Sequence, residues 1–186
     1  MKKIKTELED CYILEPNRFG DNRGYFSPVY INQELQELGF ENLVQISRSK
    51  SSKGVLRGMH FQHNPKCQAK IVEVIKGRAL DVVVDLRKNS KTYKKWTSVL
   101  LTDENNRQLY VPRGFAHGYL SLEDDTVFQY FIDNDYAPDM EGGIPYNDKN
   151  IGIDWAKIFK EYDISTPNLS EKDTNRLELT EQNIEF

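Results

Sequence analysis

Apolar and polar positions through the middle of the chain alternate in short runs rich in Val, Ile, Tyr and Phe. That pattern predicts strands rather than helices. The predicted strands are Tyr25–Ile31, Leu43–Ser49, Val55–Phe61, Gln68–Ile75, Leu80–Leu86, Thr97–Leu101, Gln108–Val111, Gly118–Leu122 and Thr126–Ile132. Turn chemistry separates them, as at Gly77-Arg78, Lys88-Asn89-Ser90 and Asp103-Glu104-Asn105-Asn106. Nine short strands at this spacing predict an antiparallel sandwich or barrel. A helix is predicted at Asn32–Leu38, with Asn32 as its cap and Gly39 as its stop, and a second at Trp155–Glu161. The polar tail after Ser170 is expected to be loose unless something docks it. In DVVVDLR and VFQYFI, bulky residues fall on both faces, which calls for a second packed surface; a subunit interface would supply one.

With 186 residues the chain fits one domain. Hydrophobic residues are 38% of it, offset by ten tyrosines and nine phenylalanines. A net charge of −4, spread along the chain, offers no basic face for nucleic acid, though a few local arginines still suffice for a small anion. Cys11 and Cys67 lack the spacing of a zinc or redox motif. No apolar run has signal-peptide or membrane length, so a reduced cytoplasmic protein with no membrane partner is the expectation.

Four stretches carry candidate chemistry. In Val55–His63, period two puts Leu56, Gly58, His60 and Gln62 on one face and Arg57 on the other, unless a bulge at Gly58 brings Arg57 round. Lys70 shares a predicted strand face with Val72 and Val74, an apolar setting rare for a lysine that is neither paired nor functional. Tyr130 stands between Phe128 and Ile132, where a core tyrosine is the ordinary reading. The turn in PRGFAHG delivers His117 toward a barrel mouth, a spacing that resembles the second motif of the cupin superfamily. The fold expected is therefore mainly β, a cupin-like double-stranded β-helix (jelly roll) with short flanking helices.

RGMHFQ (57–62), QAKIVEVIKG (68–77), DVVVDLRKNSKTYKKW (81–96), PRGFAHG (112–118) and NIGIDW (150–155), with FGDNRGYF (19–26) and LSEKD (169–173), resemble the dTDP-4-dehydrorhamnose 3,5-epimerases. The matches keep their order and span nearly the whole chain. The resemblance implies a homodimer acting on a dTDP-linked 4-keto-6-deoxyhexose, inverting C3 and C5 without metal or organic cofactor. His60 would be the base, Asp173 its dyad partner, Tyr130 the acid on the opposite ring face and Lys70 the group at the C4 oxygen. Arg23, Gln45 and Arg57 would hold substrate, Phe19 and Tyr136 would flank the nucleotide base, and His117 would line the pocket. It further implies a segment of about 1–50 in the dimer interface, with Phe19 and Arg23 reaching the neighbouring site, and a segment of about 150–186 packed over the barrel.

The chain departs from the family pattern at Phe26-Ser27-Pro28 and Gln45-Ile46-Ser47, both at the expected nucleotide end. An epimerase acting at C3 or C5 alone on a related nucleotide-linked keto sugar is the nearest alternative. Two others are a metal-dependent cupin using His60, His63, Glu73 and His117, and a sugar-binding cupin without catalysis.

Overall fold

The computed structural model describes residues 1–184 and 186. Among the described residues there are thirteen strands: β1 (Lys2–Lys5), β2 (Tyr12–Glu15), β3 (Phe19–Asp21), β4 (Gly24–Phe26), β5 (Gln45–Ser51), β6 (Leu56–Gln62), β7 (Lys70–Lys76), β8 (Arg78–Asp85), β9 (Trp96–Thr102), β10 (Gln108–Val111), β11 (Phe115–Ser121), β12 (Thr126–Ile132) and β13 (Glu141–Gly143). Three short helices flank them: α1 (Asn32–Gln36), α2 (Trp155–Glu161) and α3 (Glu171–Thr174). A six-stranded sheet in the order β1-β2-β10-β7-β12-β5 faces a five-stranded sheet in the order β13-β6-β11-β8-β9, and β3 and β4 form a separate hairpin. Every named strand pairs antiparallel. The architecture is the cupin-like jelly roll the sequence predicts.

Three apolar layers explain the two-faced strands. Between the sheets lie Val72, Val83, Leu101, Leu109, Tyr119 and Phe128. On the outside of the five-stranded sheet, Val82 and Val84 pack with Trp155, Ile158, Ile164 and Leu179 of the chain's own C-terminal segment. On the outside of the six-stranded sheet, Phe131 and Ile71 pack with Leu35 and Phe40 around α1. The second surface demanded by DVVVDLR and VFQYFI is thus covered by the same chain, not by a partner.

Other expectations need correction. Residues 27–31 form no strand, because Pro28 has no N–H for a ladder and the segment instead lays Val29 and Tyr30 on the α1 core. Asn32 does not cap α1; Ile31 holds the cap position without a side-chain bond, while Asn32 accepts from the Tyr30 hydroxyl at 2.9 Å. The edge strand β1, its neighbour β2 and the glycine-rich β13 escape a periodicity reading because they are short and weakly patterned. No described helix is long and apolar enough to cross a membrane.

Candidate active site

The site is assembled around an irregularity in the β6–β11 pairing. His60 pairs with His117 and Arg57 with Tyr119, so two residues of β6 oppose the single Gly118 between those pairs. This is a bulge, and it depends on two glycines in contact: a Cβ on Gly58 would stand 2.6 Å from Gly118 Cα, and Gly58 has φ +134°. The extra residue resets the alternation. Leu56, Met59 and Phe61 go to the outer core, and Arg57 and His60 both line a cavity of 510 Å³. Ser49, Tyr130, Asn168, Ser170, Lys172 and Asp173 complete its polar wall.

The polar tail is docked. Ser170 caps α3, its hydroxyl accepting from the Asp173 N–H at 3.1 Å, and Asp173 is buried. Its Oδ1 lies 2.5 Å from His60 Nε2. Burial works against the Asp173 charge, but the hydrogen bond and charge of His60, with further bonds from Ser170 and the Gly58 N–H, hold its carboxyl below the usual range. With Nε2 committed to a carboxylate, Nδ1 is the nitrogen left to accept a proton.

Tyr130 faces the same cavity from the six-stranded sheet. Its ring meets Phe128 at 5.0 Å and the edge of His117 at 6.1 Å. Burial, and the neighbouring Tyr119 and Asp81, push its phenol well above the ordinary value, against a hydrogen bond with Ser49, so Tyr130 stays protonated at neutral pH. Lys70 sits two pairs along from the Tyr130–Val72 pair, opposite Ile132, and so on the same inward face. Burial pulls its ammonium down to about 8, and the charges of Glu141 and Asp81 restrain the fall.

The remaining expected residues divide. Arg57 is at the cavity wall, its Nε donating to Ser51 at 3.1 Å. Gln45 starts β5 and donates to the Ser47 hydroxyl at 2.6 Å, which links one departure from the family pattern to a substrate-holding candidate. Tyr136 is exposed and donates to Glu141 at 2.7 Å. His117 is buried behind Tyr130 with its Nε2 2.8 Å from Asp81, and it does not line the cavity. Phe19 and Arg23 lie on the β3–β4 hairpin, which lines a hollow of its own. Phe19 is 61% exposed and Arg23 pairs with Asp21, two residues away.

The four residues of the metal-cupin alternative do not gather. Glu73 is bonded to Gln108 and Gln129, both at 2.8 Å, while His60 and His117 each engage a different aspartate. Among the described residues no three His, Cys, Asp or Glu side chains form a metal-holding group.

Sequence reasoning misses Ser49, Asn168, Lys172, Glu141 and Arg176. Lys172 lies in α3 and Asn168, Glu141 and Arg176 lie around it, and a signal for that helix exists: Ser170-Glu171-Lys172-Asp173 has the S-x-x-D spacing of an N-cap.

The sequence profile of the dTDP-4-dehydrorhamnose 3,5-epimerase family matches residues 5–181. A dTDP-4-dehydrorhamnose 3,5-epimerase of Methanothermobacter thermautotrophicus is 47% identical over 173 residues, 92% of this chain and 91% of that one. The crystal structure of the Elizabethkingia anophelis enzyme of that name superposes with a TM-score of 0.90 at 46% identity, over 98% of each chain. A dTDP-6-deoxy-D-glucose-3,5-epimerase from Legionella pneumophila, solved in complex with dTDP-4-keto-L-rhamnose, superposes with a TM-score of 0.87 at 37% identity, over 96% of this chain and 93% of that one.

Proposed function

The chain belongs to the dTDP-4-dehydrorhamnose 3,5-epimerase family and is an isomerase of nucleotide-linked sugars; from that premise we propose that it inverts C3 and C5 of dTDP-4-keto-6-deoxy-D-glucose through His60, Tyr130, Lys70 and Asp173. The single observation that carries the assignment is the cavity with a carboxylate-bound histidine on one sheet and a protonated tyrosine on the other.

A ketone at C4 acidifies the C–H bonds at C3 and C5, yet these remain far weaker acids than an imidazolium. His60 Nδ1 takes the proton, and Asp173 stabilises the imidazolium and fixes its orientation. The electron pair moves to the C4 oxygen, where the Lys70 ammonium, weakly screened by its surroundings, stabilises the enolate as it forms. Inversion needs a proton from the opposite face, and the Tyr130 hydroxyl is the donor. Repeating the exchange at the second carbon completes the change. Arg57, with Gln45 and Tyr136, would hold the nucleotide end.

The isolated subunit supports a shared site. Phe19 and Arg23 are on an exposed hairpin with Tyr25 and Phe26, apart from the cavity, and a homodimer in which each hairpin closes its neighbour's cavity would bring the two sets together. One domain with the 1–50 segment at that interface is the corresponding organisation. The buried, unpaired thiols of Cys11 and Cys67 suit a reducing cytoplasm.

The test is incubation with dTDP-4-keto-6-deoxyglucose in deuterated water. Exchange is expected at both C3 and C5 and lost in His60→Asn. Exchange at one carbon alone would reassign the chain as a single-carbon epimerase, and full exchange in the variant would remove His60 from the mechanism.

A further inference from the structure

Behind the dyad lies a cluster of charges that the proposed reaction does not use. Strand β13 runs beside β6, with Gly143 opposite His60 and Glu141 opposite Gln62. Glu141 Oε1 accepts from Lys172 Nζ and from Arg176 Nη2, both at 2.7 Å, and its Oε2 accepts from the Tyr136 hydroxyl at 2.7 Å. These bonds and charges outweigh partial burial and pull the Glu141 carboxyl down to about 2. The Arg176 side chain is only 11% exposed. Its Nε is buried without a hydrogen-bond partner and stands 3.9 Å from Asp173 Oδ1, the oxygen that binds His60. Gly143 makes room for it, since a Cβ there would lie 2.9 Å from Arg176 Nε. A buried guanidinium held by a carboxylate on one side, and offering an unused N–H to the dyad on the other, is costly to maintain for packing alone.

Building on the proposed reaction, we infer that Arg176 and Glu141 are positioning residues of the His60–Asp173 dyad. Glu141 clamps both ends of the α3 segment through Lys172 and Arg176, which holds Asp173 on His60. Arg176 places a fixed positive charge behind Asp173, so the carboxylate stays ionised while His60 takes up and returns its proton. The abstracted proton then remains on imidazole, from where it can leave, and does not settle on Asp173. Glu141 is also one of two carboxylates, with the His117-bound Asp81, whose charge helps keep Lys70 protonated.

The charged and titratable groups around the dyad are Lys172, Arg176, Arg57, Glu141, Tyr130 and, opposite His60 on β11, His117 with its partner Asp81. Arg176→Gln, Arg176→Lys and Glu141→Gln, made in the full chain, test the inference by steady-state kinetics and the pH profile of kcat/KM. Arg176→Gln is expected to lower kcat about tenfold or more with KM within about threefold. Its acid limb should move to higher pH, because a dyad without the neighbouring cation holds its proton more tightly. Arg176→Lys, which keeps the charge, should restore most of kcat and the wild-type limb. In Glu141→Gln the alkaline limb should move to lower pH, since Lys70 loses an anion. Wild-type kcat and limbs in Arg176→Gln would overturn the inference. So would a raised KM at unchanged kcat, which would assign the cluster to nucleotide binding through Tyr136, or equal losses in Gln and Lys variants without a limb shift. If Glu141→Gln fails to fold, the two Arg176 variants decide. A wild-type enzyme that exchanges neither proton would instead refute the proposed reaction.

Discussion

Replacing Lys70 by Met should make the protein more stable while disabling it. Lys70 begins a central strand, paired with Val111 of β10 and Ile132 of β12, and it shares its face with Val72 and Val74 of the inter-sheet core. Its ammonium falls from an ordinary 10.5 to about 8, chiefly through burial. At about 1.36 kcal/mol per pH unit, keeping it charged costs the folded state about 3 kcal/mol. The sign follows from linkage: between pH 8 and 10.5 the unfolded chain binds the proton more tightly, so wild-type stability should rise across that window. Below pH 8 the full cost is present. Methionine has a similar length and no charge, so Lys70→Met should gain up to about 3 kcal/mol at pH 7, an advantage that shrinks as pH approaches 10.5. Urea denaturation of both proteins from pH 6 to 10.5 measures this. The same variant should lose about 10²–10³-fold in kcat, the usual loss when a group stabilising a developing oxyanion is removed. In the wild type, kcat/KM should decline as pH rises through about 8, where Lys70 loses its charge. A Lys70→Met protein no more stable than wild type at pH 7, or one with full activity, would refute the reasoning.

Tyr130→Phe should leave solvent exchange at one or more carbons but impair net inversion, read by NMR of the product; unaltered stereochemistry would rule out its role as the acid. Gly58→Ala should destabilise by about 2 kcal/mol or more, because the new Cβ meets Gly118 Cα at 2.6 Å on backbone at φ +134°; a thermal melt within a degree of wild type would show that the bulge is not glycine-dependent. For the shared site, Arg23→Ala and His60→Asn subunits should each be nearly inactive alone, and an equimolar mixture should recover up to about a quarter of wild-type activity, from the one intact site of each mixed dimer. No recovery after verified subunit exchange would place Arg23 in its own subunit's site.

The fold is legible where runs rich in β-branched and aromatic residues are bounded by turn chemistry. Gln108–Val111 and Thr126–Ile132 match their predicted bounds to the residue, as does helix α2. The hairpin around Asp21–Arg23 and the three-residue β13 are not legible, since their pairing is decided by partners distant in sequence rather than by local periodicity. Apolar residues on both faces of β8 and β12 signal a second packed layer correctly, but periodicity does not say whose chain supplies it. Of the site, His60 and Lys70 stand out as polar groups in apolar strands, and the bulge that unites Arg57 with His60 is signalled by Gly58. Arg176 and Glu141 carry no such mark. Their environment is made by docking of the tail, and an arginine in a polar stretch looks like any solvated surface residue.

The bond between His60 and Asp173 joins residues 113 positions apart. As the chain leaves the ribosome, every strand of both sheets, with His60, Lys70 and Tyr130, has been synthesised before Ser170 appears. The nascent barrel therefore holds the cavity-lining strands but lacks the carboxylate that binds His60. On the proposed roles, competence would arrive only with α3, so a chain clipped before residue 170 would keep the sequence of every strand and is expected to be inactive.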